Sequence, residues 1–304
     1  YACLSYKWGR DQEPVLTSNM LRGRRGPLQF QAEDLPKTIA DAVFVCLSLR
    51  IGYLWVDALC IIQDDAQDKA EQIGEMQQIY SQSAITIVAS RADSSEDGFL
   101  HPRLDSSEIE ALGETCRLAY RSEKGETGSV ILHLRPQKAP LRDPLHERGW
   151  AYQEFLLPPR IIDYGRMQTT YNCRECESTI TDGGISSADA LMLFIRRKGF
   201  YELWPLKDSW QLFVEECSKR QLSVPADRLN AMSAIANVFS KLTDEKDEYL
   251  AGHWRSSFPE SLMWFRNWRK NGLASEVESH HAFGEYFAPS WSWPSVMGSV
   301  KFKY

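Results

Sequence analysis

Trp150-Ala151-Tyr152-Gln153-Glu154 sets an aromatic side chain and a carboxylate four residues apart. On a helix that spacing puts both on one face. A carboxylate beside an aromatic wall is suited to stabilising positive charge or moving a proton, although an exposed glutamate on any amphipathic helix has the same spacing. Asp57, Asp64 and Asp65 form a second acidic group. Such carboxylates can take ribose hydroxyls or a cation, and Asp64 and Asp65 equally suit a helix start through its dipole. Cys173-Arg174-Glu175-Cys176 has the spacing of a zinc or redox pair. A structural zinc takes four ligands; no second C-x-x-C exists, and the histidines form no H-x-x-x-H. No metal is expected. Cys60 is the best-placed thiol nucleophile, but its neighbours Leu59, Ile61 and Ile62 favour an inert core thiol. Neither glycine-rich nucleotide cradle is present. A Ser-His or Cys-His nucleophile stays open, because such partners meet in space rather than in sequence.

The elements that must position these residues follow from periodicity. Tyr1 to Tyr6 is a short apolar run ending at Lys7-Trp8-Gly9. Leu35-Pro36-Lys37 reads as a helix start that Asp34 can cap, with Ile39, Val43, Cys46 and Leu47 on one face. Gly52 suits a left-handed helix stop. Tyr53-Leu54-Trp55-Val56 reads as a strand buried on both faces and ends at Asp57. Ile73, Met76, Ile79 and Tyr80 stripe a second helix, and Ala84 to Ala89 is a third strand. Alternating strands and helices imply right-handed crossovers and a parallel sheet. Ligands of such sheets bind beyond the carboxyl ends of the strands, which here carry Lys7, Trp8, Gly9, Asp57, Ser90 and Arg91. Residues 116–120 and 130–134 read as a hairpin, 147–157 as a helix stopped by Pro158-Pro159, and 160–164 as a further strand. Residues 185–270 read as mainly helical, with Trp204, Trp210, Phe213, Trp254, Trp264 and Trp268 as packing anchors.

With 304 residues the chain can bury a large core without staples. A net charge of -6 argues against a generic nucleic-acid binder; Arg22, Arg24 and Arg25 read better as a solvated loop. No run of 18 apolar residues exists, so no membrane span is expected. Seven scattered cysteines suggest free thiols in a reducing, cytoplasmic setting. The first residue is Tyr rather than Met, as expected if the beginning has been removed.

Tyr1-Ala2-Cys3-Leu4-Ser5-Tyr6-Lys7-Trp8-Gly9 resembles the first block of the fungal heterokaryon incompatibility (HET) domain. Leu35-Pro36-Lys37-Thr38-Ile39 through Tyr53-Leu54-Trp55-Val56-Asp57-Ala58-Leu59-Cys60-Ile61-Ile62-Gln63-Asp64-Asp65 resembles the second, and Met76 to Ser81 through Thr86 to Ala89 the third. Arg148 to Glu154 and Pro289-Ser290-Trp291-Ser292-Trp293 are similar to later blocks. The resemblance implies a role in fungal nonself recognition and cell death. HET domains in turn distantly resemble TIR domains, whose NAD-cleaving members carry Trp, three residues, then a catalytic Glu. That likeness implies a TIR-like, flavodoxin-like α/β fold, a parallel sheet flanked by helices, over 1–180. A hairpin insertion is expected at about 93–147, and a helical, aromatic-rich extension over 181–304.

On this likeness Glu154 is the catalytic candidate, and Ser5, Tyr6, Trp8, Gly9, Asp57, Arg91 and Trp150 are the substrate-binding candidates. NAD is expected as substrate, with no cofactor. Nicotinamide in NAD is already a cationic leaving group, so one carboxylate near the ribose suffices to stabilise the sugar cation. Three readings stay open: a NAD-cleaving or related nucleotide-processing enzyme; a non-catalytic, self-associating signalling module; and an enzyme acting on a small metabolite, as in fungal secondary metabolism. Expected partners are a small nucleotide or metabolite and a second copy of the chain, not nucleic acid or membrane.

Overall fold

In the computed structural model the described residues are 1–10, 12–23, 26, 28–102, 115–133, 143–166, 168–175, 180–181, 206–222, 224–241, 247–267 and 288–303. The chain runs β1 (Ala2–Ser5), α1 (Ser18–Leu21), α2 (Lys37–Ser48), β2 (Leu54–Trp55), α3 (Asp57–Cys60), α4 (Ala66–Ser81) and β3 (Ile85–Val88). The hairpin β4 (Thr115–Arg121) and β5 (Thr127–His133) follows, then α5 (Ala151–Leu156), β6 (Arg160–Tyr164), β7 (Thr169–Cys173) and β8 (Ile180–Thr181). The later part holds α6 (Leu206–Ser218), α7 (Asn230–Ser240), β9 (Tyr249–Leu250), β10 (His253–Trp254), β11 (Trp264–Arg266) and β12 (Val300–Phe302).

The main sheet has the order β2-β1-β3-β6-β7-β8. Strands β2, β1, β3 and β6 are parallel, and β7 and β8 are antiparallel. The molecule is therefore α/β, with a mainly parallel sheet flanked by helices. From β1 the chain crosses to β2 on one side, then returns past β1 to β3 on the other. In open α/β sheets ligands bind at such a reversal, beyond the carboxyl ends of the strands, which here are those of β1 and β3. Every residue of β1 and β3 is buried, as apolar runs covered on both faces must be.

Three local expectations are corrected. The run Tyr53 to Val56 is an edge strand of two half-buried residues, and Tyr53 is 80% exposed. An apolar run does not distinguish centre from edge; here Trp55 needs only one covered face, where it meets Tyr80 edge-on at 5.6 Å. Asp34 does not cap α2, because its carboxylate accepts from its own turn at Gln31 N, 3.0 Å. The Thr38 amide is instead satisfied by Ser95 O at 2.8 Å. Arg50, with φ 58°, takes the left-handed position expected of Gly52. By contrast Asp65 caps α4 through Gln67 N and Asp68 N at 2.9 and 3.1 Å, and Asp64 accepts from Ser18 N at 2.7 Å. Those two acids serve local structure.

The loop after β3 is latched to α2. Asp41 is buried and accepts from Lys37 and from the amides of Phe99 and Leu100, at 2.7 and 3.0 Å for the amides. Burial alone would raise its carboxyl, but these donors outweigh it and hold it below its ordinary value. Gly98 has φ 70°, and a Cβ there would lie 2.6 Å from Lys37 Cγ and 2.7 Å from Asp41 Oδ2. Gly98→Ala therefore adds left-handed strain and pushes Asp41 off its donors. It should cost about 2 kcal/mol or more in denaturant unfolding; an unchanged midpoint would show that the latch contributes nothing.

The C-terminal part packs on α5 through one apolar cluster. It joins Leu145, Tyr152 and Phe155 to Trp210 and Phe213 of α6, Ile235 and Phe239 of α7, Trp254, Trp293 and Phe302. Trp210 and Trp293 both donate to Gly252 O, at 2.9 and 3.1 Å. Within 185–270, read from the sequence as mainly helical, the described residues form the helices α6 and α7 together with the strands β9, β10 and β11. Trp204 and Trp268 lie outside the described residues, as do Arg24 and Arg25.

Candidate functional site

The carboxyl end of β1 meets the amino end of α5. Ser5 Oγ donates to Glu154 Oε2 at 2.6 Å. All six residues of α5 are buried, so the helix threads the core rather than lying on it. Gly149 permits its approach: a Cβ there would sit 2.4 Å from Leu222 Cδ2. Pro158-Pro159 follows its end, where Arg174 donates to the carbonyls of Leu156 and Leu157. Glu154 itself is 3% exposed. Burial pushes its carboxyl up to about 7. Arg148's charge and the Ser5 hydrogen bond oppose that rise, the charge of Asp57 adds to it, and the nearby Tyr80 hydroxyl opposes it. Tyr80 Oη, fully buried, donates to Leu4 O at 3.2 Å.

Asp57 lies at the mouth of the same cluster, enclosed by neighbours yet half-buried as a residue. Trp8 Nε1 donates to its Oδ2 at 2.9 Å and the Ala58 amide to its Oδ1 at 2.7 Å. Burial raises this carboxyl too, against the pull of Arg148, Trp8, the Ala58 amide and Tyr6. The buried Tyr6 hydroxyl lies beside Asp57 without closing a well-formed hydrogen bond. Arg148 Nη1 donates to Tyr6 O at 2.5 Å, and its charge favours ionisation of both acids. One guanidinium thus serves two enclosed carboxylates.

Ser5, Tyr6, Trp8, Asp57 and Glu154 therefore converge. Trp150 packs in the neighbouring cluster with Cys3, Met76, Tyr80 and Leu157, next to Asp227. Gly9, with φ 89°, sits where a Cβ would lie 2.9 Å from Ser94 Cβ, so the loop after β3 requires the glycine. Arg91 donates to His101 O and Pro102 O at 3.2 and 3.1 Å, which ties it to the loop beyond β3 rather than to the acids. Arg148 and Tyr80 were missed by sequence reasoning. Tyr80 reads as one more member of an apolar stripe, and Arg148 stood only as the first residue of the block that ends in Glu154, with no role of its own.

The thiols and histidines stand apart. Cys60 is exposed rather than an enclosed core thiol, because α3 turns it outward at the end of its single turn. Cys173 is buried, and Cys176 lies outside the described residues. Among the described residues no three His, Cys, Asp or Glu side chains are grouped as a metal would need. Ser90 Oγ lies 3.3 Å from His146 Nε2, and the same nitrogen is 3.7 Å from Asp163 Oδ2. A nucleophile relay uses opposite ring nitrogens for serine and aspartate; here both face one, so this geometry is not a relay.

The arrangement defines an α/β protein with two acids and an arginine gathered at the switch point of its sheet. A family model, heterokaryon incompatibility protein (HET), matches residues 1–154 of the 304. The chain belongs to the heterokaryon incompatibility family. No curated protein and no solved structure matches it. Among the described residues no helix is long and apolar enough to cross a membrane.

Proposed function

We propose that this HET protein is a nucleotide-processing enzyme that cleaves the nicotinamide–ribose bond of NAD, in fungal nonself recognition and cell death. The observation that carries this reading is the bond from Ser5 to Glu154, which brings the acid onto the edge of the sheet that holds Trp8 and Asp57. The TIR-like spacing from Trp150 to Glu154 and the strand order around β1 support it. In the reaction the C1′–N bond breaks and its electron pair goes to the nicotinamide nitrogen, neutralising the ring. Ionised Glu154 faces the sugar cation, and a low-dielectric setting strengthens that attraction. Water then bonds to C1′ and gives up a proton, which a carboxylate titrating near 7 can accept. Asp57 holds ribose hydroxyls, and Trp8 stacks on a ring of the substrate. Glu154 is deep, so substrate entry requires the Trp8–Asp57 mouth to open.

A second reading, a non-catalytic module that self-associates, is favoured by the burial of Glu154 and by Phe44 and Leu47 standing 63% and 70% exposed on α2. Incubating the full chain with NAD and separating the products by chromatography decides between them. Nicotinamide release that scales with protein supports cleavage. No release at high protein concentration, with self-association in light scattering, supports the module.

A further inference from the structure

A second concave site lies in the C-terminal part, away from Glu154. It is a cleft of about 530 Å³ between the end of α6, the turn ahead of α7 and the approach to β12. Lys219, Arg220, Arg228, Met297 and Ser299 are among its lining residues. Arg228 is only 6% exposed, yet its guanidinium donates to two carbonyls, Val296 O and Gly298 O, and lies 5.2 Å from the Trp293 ring centre. Among the described residues no ion pair involves Arg228. Buried cations are ordinarily matched by an anion, because neutral partners replace only part of the lost hydration. Lys219 is matched by Glu216, and Arg220 donates to His146 O at 2.7 Å. The second observation is Ser299: it too is 6% exposed, and among the described residues its hydroxyl has no hydrogen-bond partner. A buried hydroxyl without a partner, in a cleft walled by an unmatched guanidinium, points to a ligand that accepts hydrogen bonds and carries negative charge.

We propose that this cleft binds a compact phosphate-bearing anion, with Arg228 supplying the charge and Ser299 a hydroxyl donor. The volume falls in the range of small-ligand sites, and a guanidinium fork matches phosphate oxygens better than it matches a point anion. The cleft also abuts the segment that carries Arg148. The Gly149 amide donates to Gln221 O at 2.7 Å and the Gln221 amide to Glu147 O at 2.6 Å, one bond on each side of Arg148. An anion held at 218–222 and 297–299 therefore steadies the arginine that faces Glu154 and Asp57. None of this depends on NAD cleavage.

The test is calorimetric titration of the full chain with inorganic pyrophosphate, with citrate as the carboxylate comparison. One saturable site is expected, with citrate clearly weaker. Met297 is 40% exposed, so Met297→Glu should fold normally; its new charge at the mouth should weaken pyrophosphate binding at least about tenfold. Arg228→Met should abolish binding, and if that variant fails to fold, Ser299→Ala replaces it and should weaken binding about threefold or more. Bound pyrophosphate should slow amide exchange at Gly149 and Gln221. Absence of saturable binding, citrate as tight as pyrophosphate, or unaltered affinity in Met297→Glu would overturn the site. Binding with unchanged exchange at those two amides would overturn its link to Arg148.

Discussion

Glu154→Gln should release nicotinamide at least about 100-fold more slowly and yet be the more stable protein above pH 7. The stability follows from linkage. Glu154 has an ordinary value of 4.5 and is pushed up to about 7 by burial in the folded chain. Between those values the folded state holds more protons than the unfolded one, so this group's contribution to stability falls as pH rises through that window. Above 7 the penalty is fully present, on the order of 3 kcal/mol. Glutamine carries no charge and keeps an oxygen for the Ser5 hydroxyl. At pH 8 the variant should therefore melt several degrees higher than the parent, and by pH 5 most of that gain should be gone. A buried acid retained at such a cost is what a functional carboxylate looks like. A gain of equal size at both pH values would mean that packing, not charge, sets the difference. Slow release together with an unchanged melting temperature at pH 8 would mean that solvent reaches the Glu154 carboxylate in the folded chain.

What the sequence could disclose about this site divides along local and non-local lines. Strand β3 was legible because a continuous run of β-branched residues has few other solutions, β1 because a short apolar run ends at a polar Lys7, and Asp65 because a cap acts two and three residues away. The edge position of β2 was not, since pairing partners are set by the whole sheet. The spacing from Trp150 to Glu154 gave a helix but not its depth; α5 is enclosed because α6 and α7, more than fifty residues later in the chain, close over it. The Ser5–Glu154 bond spans 149 positions and the Arg148–Tyr6 bond 142, so no local pattern records either. Gly9 was drawn into the site by its place at the end of β1, whereas its conformation answers to the Ser94 loop. Side chains chosen for chemistry and side chains chosen for fit look alike until the strands are ordered.

Arg148→Met is the second large effect, and its pH dependence separates two roles. In one role the guanidinium is a tether, fixing the end of β1 through Tyr6 O at 2.5 Å. In the other it is the cation that lets Asp57 and Glu154 ionise inside the protein, against the burial that raises both. Loss of the tether alone costs about 1–3 kcal/mol at every pH. Loss of the cation raises both carboxyls further, so the deficit must grow as pH rises and more of each acid would otherwise ionise. We expect a loss of about 3 kcal/mol or more at pH 8, shrinking toward the tether's share near pH 5. Arg148→Lys should restore much of the pH-dependent part, because it keeps the charge, and less of the constant part, because an ammonium lacks the fork. The cycle with Glu154→Gln gives the sharper reading: removing the acid should stabilise the Arg148→Met background more than the parent at pH 8. Additive changes, with a deficit flat across pH, would reduce Arg148 to a tether. The charge balance of the two acids would then have to come from elsewhere.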